Sequence, residues 1–292
     1  MKRVLVTGAN KGIGLALVRA ILERDDKACV ILGSRDTARG QAAIDSLVEA
    51  RPHWAEQLVL LELDVTSTES VENAAAHLRS TFPQERTPLY GIVNNAGIGL
   101  GSAQPTPVFE VNVRGVQRVC EAFLPLLDPK EGRIVNITSA AGPKFVSECP
   151  EDLRQFLTDD SIQWSSLERF MDEYLDPATG ALEGHGLRNS DAYGLSKACA
   201  NSYTLCLARE HPNLGINACT PGWIDTDLTR YHAEASGKSP TELGMKPASE
   251  GTRSALYLLF EALEGNGRYY GSDAVRSPLD AYRAPGDPPF QG

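Results

Sequence analysis

The chain has 292 residues, 42% hydrophobic and 23% charged. That is the composition of a globular protein that can bury a large core without disulfide or metal staples, and it excludes a disordered chain. Its 28 Lys and Arg against 38 Asp and Glu leave a net charge of −10, which argues against nucleic acid as the partner, since phosphate backbones select a basic face.

In chain order, residues 2–7 (KRVLVT) form a short β-branched run closed by Gly8, and residues 12–24 (GIGLALVRAILER) carry apolar side chains at helical spacing. A second apolar run covers 28–35 (ACVILGSR), followed by a helix over 36–50 with Asp36 as N-cap. Strand 57–65, helix 70–82, strand 89–95, helix 108–127 and strand 132–139 continue the alternation. Then come helix 192–210, strand 214–222, helix 250–264 and a last strand over 267–273. Strands apolar throughout and alternating with helices predict α/β architecture, a doubly wound parallel sheet covered on both faces. The expected organisation is one domain over 1–275, a helical insertion at 140–190 and a Pro- and Gly-rich tail at 276–292. In the insertion, Phe156, Leu157, Leu167, Phe170, Met171 and Tyr174 fall at helix-like spacings interrupted near 158–161, which predicts two short amphipathic helices.

No run of about 18 apolar residues occurs, so no membrane span is expected. A strand starting at Lys2 or Arg3 leaves no room for a signal peptide, which points to the cytoplasm. The six cysteines form no C-x-x-C pair and sit in apolar surroundings, as buried reduced thiols of a reducing compartment do. No His or Cys/His cluster has metal-ligand spacing, so no metal is expected. The sequon at Asn136 lies in an apolar strand pattern and is expected to carry no glycan.

The turn after the first strand reads Thr7-Gly8-Ala9-Asn10-Lys11-Gly12-Ile13-Gly14. Glycines let backbone approach a ligand closely, and the following helix offers free N–H groups and a positive dipole end to a pyrophosphate. Arg35, ending the second strand, is placed to clamp a ribose 2′-phosphate, with Lys11 as a second cation. Asp36, one residue on, is the rival acceptor for a 2′-hydroxyl. Tyr193 and Lys197 are i and i+4 on one helix face; a neighbouring ammonium favours the phenolate and so tunes a phenol whose ordinary pKa is about 10. Ser139 ends a strand without the G-x-S-x-G surroundings of a hydrolase nucleophile. Trp223, Trp164 and the aromatics of the tail are candidates for lining an apolar pocket, with core packing as the alternative.

With its G-x-x-x-G-x-G spacing, the chain resembles the short-chain dehydrogenase/reductase family. Further matches come in family order: Leu63-Asp64-Val65, Asn94-Asn95-Ala96-Gly97, Asn112, Ser139, Tyr193-Gly194-Leu195-Ser196-Lys197 and Pro221-Gly222. Arg35-Asp36, Pro221-Gly222-Trp223 and the long insertion before Tyr193 resemble the monomeric carbonyl reductase branch, although the segment from Gly97 to Asn112 is short for that branch. The resemblance implies NADPH-dependent reduction of a ketone, aldehyde or quinone. Tyr193 would donate the proton, Ser139 bind the carbonyl, Lys197 tune Tyr193, and Asn112 hold a water linking Lys197 to solvent. It implies cofactor contacts from Gly8, Asn10, Lys11, Gly12, Ile13, Gly14 and Arg35; from Asp64, Val65, Asn94, Ala96 and Gly97; and from Tyr193, Lys197, Pro221, Gly222, Ile224 and Thr226. Ser139, Tyr193 and Trp223 would meet the substrate. Two alternatives stay open: a dedicated biosynthetic ketoreductase or alcohol dehydrogenase for a terpenoid, steroid or alkaloid, and a non-catalytic NADP(H) sensor. The insertion is expected to cover the helix face through which many relatives dimerise, leaving a monomer.

Overall fold

The computed structural model describes residues 1–99, 104–179, 187–188 and 191–292. Eight strands form one sheet in the order β3-β2-β1-β4-β5-β6-β7-β8: β1 Arg3–Val6, β2 Cys29–Ser34, β3 Leu58–Glu62, β4 Gly91–Asn94, β5 Arg133–Ile137, β6 Gly215–Cys219, β7 Tyr269–Tyr270 and β8 Arg276–Ser277. All neighbours pair parallel except β7 with β8. Successive side chains of β1 enter opposite cores, Leu5 on one face and Val4 and Val6 on the other. Both faces are therefore dry, which is why these strands are apolar throughout.

One face is covered by α1 (Gly12–Arg24), α2 (Thr37–Ala50) and α11 (Arg253–Phe260), through Leu17, Ile21, Ile44, Leu47 and Leu258. The other is covered by α3 (Thr68–Thr81), α4 (Pro105–Phe109), α5 (Gly115–Phe123) and the long α9 (Ala192–Glu210). The single helix expected over 108–127 is divided: a π-helical turn, Glu110–Arg114, joins α4 to α5, and a 3-10 turn, Leu124–Leu126, follows. The strand order reverses between β1 and β4, so the connections after these strands diverge and open a crevice at their carboxyl ends.

The insertion holds α6 (Ala141–Ser147), α7 (Glu151–Thr158) and α8 (Trp164–Leu175). The last two are the expected amphipathic pair, broken where the spacing breaks; residues 180–186 and 189–190 of the insertion lie outside the described residues. A further helix, α10 (Asp227–Ser236), was not expected; Thr226 and Thr229 form its capping box and Gly237 ends it at φ 65°. The tail is no loose end, since its first residues form β8 and the rest folds back along it.

Candidate active site

The turn between β1 and α1 is built around close approaches. Gly8 (φ 62°) and Gly12 (φ 56°) occupy the left-handed region that favours glycine. A Cβ on Gly14 would stand 2.5 Å from Asn95 Nδ2 and 2.6 Å from the Gly8 carbonyl, and one on Gly8 would stand 2.9 Å from Ala96 Cα. Asn95 fastens this turn to β4: its Nδ2 donates to the Thr7 carbonyl at 2.9 Å, and its backbone N–H donates to Thr7 Oγ1 at 3.0 Å. No side chain caps the N-terminus of α1, so its amides remain available to an anion. Arg35 is exposed at the end of β2 and forms no ion pair among the described residues, while Asp36 is committed to capping α2 through the Arg39 N–H at 3.0 Å. A cramped glycine turn, an uncapped helix and a free guanidinium together fit a phosphorylated dinucleotide.

At the far end of the crevice the Ser139 hydroxyl, just past β5, accepts from the Ala141 N–H at 3.2 Å and lines the same cavity as the Tyr193 phenol in the first turn of α9. Burial pushes the Tyr193 phenol up from its ordinary value, and the nearby Ser139 hydroxyl offsets part of that rise. Lys197, one turn on, is 5% exposed; burial pushes its ammonium down to about 8. Its Nζ donates to the Ile137 carbonyl at 3.1 Å and lies 5.8 Å from the Tyr193 ring centre. Asn112 sits in the π-helical turn with its Oδ1 accepting from the Ile98 N–H at 3.0 Å and its Nδ2 donating to the Ile98 carbonyl at 3.0 Å and to Ser196 Oγ at 3.1 Å. A Cβ on Gly97 would lie 3.4 Å from Asn112 Oδ1 and 3.5 Å from Lys197 Nζ, so the backbone of residue 97 runs between these two groups.

Ser139, Tyr193 and Lys197 open on a cavity of about 1120 Å³, which Asn112, engaged with Ile98 and Ser196, does not line. Ile13 and Gly97 line one part of it, and Pro221, Gly222, Ile224 and Thr226 another. Trp223 lines it with 40% exposure, its indole N–H donating to the Leu243 carbonyl at 3.2 Å. Trp164 instead packs edge-on against Tyr203 at 5.3 Å, in the core beneath the insertion.

Four expected cofactor side chains are engaged differently. Asn94 turns into the sheet interior, donating to Asn136 Oδ1 at 2.8 Å, because strand alternation sends it to the side opposite Asn95. Asn136, 1% exposed, passes the network on to Thr204 Oγ1 at 2.8 Å, which buries the sequon. Val65 is buried against Gly115, whose Cβ would stand 2.9 Å from Val65 Cγ2. Lys11 pairs with Asp227 at 2.5 Å rather than standing free. Asp64 Oδ1 accepts from the Thr66 N–H at 2.9 Å and hydroxyl at 2.7 Å, leaving Ser67 to cap α3. Asn10 is half-exposed in the glycine turn.

Sequence reasoning missed several cavity residues. Ala141, Pro143 and Lys144 arrive on α6, whose seven residues are too few to show periodicity. Tyr269, 4% exposed on β7, is pushed up mainly by burial; a two-residue strand gave its side no signal. The six cysteines are buried and unbridged, and burial raises the thiols of Cys120 and Cys219 to about 12. Among the described residues no metal-binding group of His, Cys, Asp or Glu occurs, and no helix is long and apolar enough to cross a membrane.

Residues 2–150 match the short chain dehydrogenase family. Carbonyl reductase (NADPH) 3 of Rattus norvegicus is 30% identical over 94% of this chain and 97% of its own length. Carbonyl reductase (NADPH) 1 of Macaca fascicularis is 33% identical over 90% of this chain and 92% of its own. Among solved structures, salutaridine reductase from Papaver somniferum shares the fold at TM-score 0.75 and 24% identity, covering 92% of this chain and 99% of that one. The NADPH-bound carbonyl reductase from chicken fatty liver does so at TM-score 0.65 and 25% identity, covering 94% and 97%.

Proposed function

The chain belongs to the short-chain dehydrogenase/reductase family and is an NADPH-dependent oxidoreductase, and from that premise we propose that it reduces a ketone, aldehyde or quinone to the alcohol with Tyr193 as proton donor. The observation that carries this reading is the convergence of Ser139, Tyr193 and the buried Lys197 on the wall of one cavity. The named relatives are carbonyl reductases, which supports the substrate class.

Bound NADPH supplies a hydride to the carbonyl carbon. The Ser139 hydroxyl donates to the carbonyl oxygen and holds it beside the phenol. Tyr193 gives its proton to that oxygen as negative charge develops there, and the Lys197 ammonium favours the phenolate left behind. Asn112 fixes the backbone of residue 98 beside Lys197. Arg35 would hold the 2′-phosphate, with Lys11, which is paired with Asp227, as the second cation beside it. A protein that only sensed NADP(H) would gain nothing from burying a lysine beside a phenol. The chain acts as a monomer in a reducing cytoplasm, in keeping with its six free, buried thiols.

Loss of NADPH absorbance with a panel of carbonyls tests the reading. Tyr193→Phe keeps the ring and removes the proton; turnover is expected to fall by about 10²–10⁴-fold with NADPH binding retained. Near-normal turnover in this variant would refute the assignment.

A further inference from the structure

The last residues of the chain form a strap across the cavity, and a buried ion pair pins it. Asp273, in the turn between β7 and β8, and Arg283 have side chains only 14% and 5% exposed. They meet in a two-point pair, Nη1 to Oδ1 at 3.1 Å and Nη2 to Oδ2 at 2.5 Å. The remaining capacity is used as well: the Gly286 N–H donates to Asp273 Oδ2 at 3.0 Å, and Arg283 Nε donates to the Pro288 carbonyl at 3.2 Å. Farther out, the Phe290 N–H donates to the Arg276 carbonyl at 3.1 Å, and the Arg276 guanidinium lies 5.4 Å from the Phe290 ring centre. Bidentate Arg–carboxylate pairs fix orientation as well as distance, and a buried pair with its other donors and acceptors satisfied is costly to open.

What this node holds in place is a wall. Ala281, Tyr282 and Pro285 line the same cavity as Ser139 and Tyr193. Tyr282 is 57% exposed, and among the described residues its ring stacks on no other and its hydroxyl makes no hydrogen bond. An anchored strap presenting an unused aromatic ring to a reaction cavity is a binding feature, because folding gains little from leaving that ring in water. Trp223, 40% exposed, offers a second ring to the same space. The cavity of about 1120 Å³, part of it lined by the cofactor-side residues Ile13, Gly97 and Thr226, is larger than the ~300–1,000 Å³ of ordinary ligand pockets, which leaves space beside a nicotinamide for more than a small carbonyl.

We infer that the strap is the outer wall of the substrate pocket and that Tyr282 is a specificity-determining residue, packing its ring on the body of a bulky aromatic carbonyl compound whose oxygen lies at Ser139 and Tyr193. This rests on the carbonyl-reductase reading for the placement of the oxygen, and on the strap's own geometry for the placement of the ring.

The test is calorimetric binding of acetylnaphthalene to the NADP⁺-loaded protein, beside NADPH-dependent turnover of acetylnaphthalene and of propanal. Tyr282→Ala should weaken acetylnaphthalene binding and raise its KM about tenfold while propanal kcat/KM stays within about twofold; Tyr282→Phe should bind like wild type. Binding without turnover in the wild type would overturn the reductase reading and leave the strap standing if Tyr282→Ala still binds more weakly. Equal affinity of Tyr282→Ala and wild type, or a wild type that binds acetylnaphthalene no better than propanal, would overturn the role of the strap.

Discussion

Lys197 shows most directly what the reaction site costs the fold. Its ammonium titrates at about 8 instead of 10.5 because it is buried, which is worth about 3 kcal/mol against folding at neutral pH. Lys197→Met removes that cost but orphans the Ile137 carbonyl, a loss of about 1–3 kcal/mol. The variant should therefore lose activity and yet be as stable as wild type, or more stable by up to about 2 kcal/mol, a few degrees in Tm. The sign with pH follows from a folded pKa below the unfolded one. Below about 8 both states hold the proton and the full cost is felt; between about 8 and 10.5 the unfolded chain binds more protons, so wild-type stability is recovered as pH rises. Melting curves of both proteins from pH 7 to 10 should show the variant's advantage shrinking, and an advantage that grew with pH would contradict the burial argument. The proposed role of Arg35 in cofactor choice belongs to the other end of the crevice. Arg35→Ala removes a charge-assisted clamp of about 1.5–3 kcal/mol, so the NADPH KM should rise about 10–150-fold with the NADH KM little changed; steady-state kinetics with both cofactors decide it. The shared placement of Tyr193 and Lys197 was legible because i, i+4 spacing alone puts them on one face. Asn94 and Asn95 were not separable that way: adjacent strand residues point to opposite sides, and only the sheet shows which side holds the ligand. Nor could spacing reveal that Lys11 finds Asp227, far along the chain on another helix.

At the scale of elements, legibility followed the strength of the local pattern. α1 coincides with the expected 12–24 because it carries an apolar stripe, and α9 with 192–210 because it is long, uninterrupted by Gly or Pro after its first turn, and buried on nearly every side. α10 escaped notice because its ten residues, Asp227–Ser236, are mostly polar and held by a capping box instead of a stripe. The helix expected over 108–127 was right in class but hid its π-helical turn, and that turn carries Asn112. Widening the helix at Glu110–Arg114 places the Asn112 amide on both backbone groups of Ile98. Asn112→Ala should therefore act on the loop as well as on the helix: it leaves the Ile98 N–H and carbonyl without these partners, at about 1–3 kcal/mol each where buried. The expected result is a lower Tm together with lower kcat, and faster hydrogen exchange at Ile98. Unchanged exchange at Ile98 would show that Asn112 does not tether the loop.

At the scale of the whole molecule, the insertion decides which surfaces are left for a partner. α7 and α8 lie on α9: Ser202 Oγ donates to the Leu157 carbonyl at 2.6 Å, Arg209 Nη1 donates to the Asp160 carbonyl at 2.6 Å, and Trp164 sits edge-on to Tyr203. Leu153, Leu157, Leu167, Met171 and Tyr174 are buried beneath them, so the apolar stripes of the insertion and the face of α9 satisfy one another within a single chain. An isologous interface needs that face open on both copies. Light scattering at micromolar concentration should accordingly give a mass near 31.5 kDa, and a stable dimer or tetramer would refute the covering role. Trp164→Ala probes the same surface from the other side. Losing a large buried-edge aromatic costs about 3–5 kcal/mol where the site cannot collapse, which loosens α8 and bares Tyr203. The variant should melt earlier and show concentration-dependent growth in scattering mass, because the face it uncovers is apolar. A variant that melts earlier yet stays monomeric up to the highest soluble concentration would mean that the insertion stabilises the chain without being what keeps copies apart.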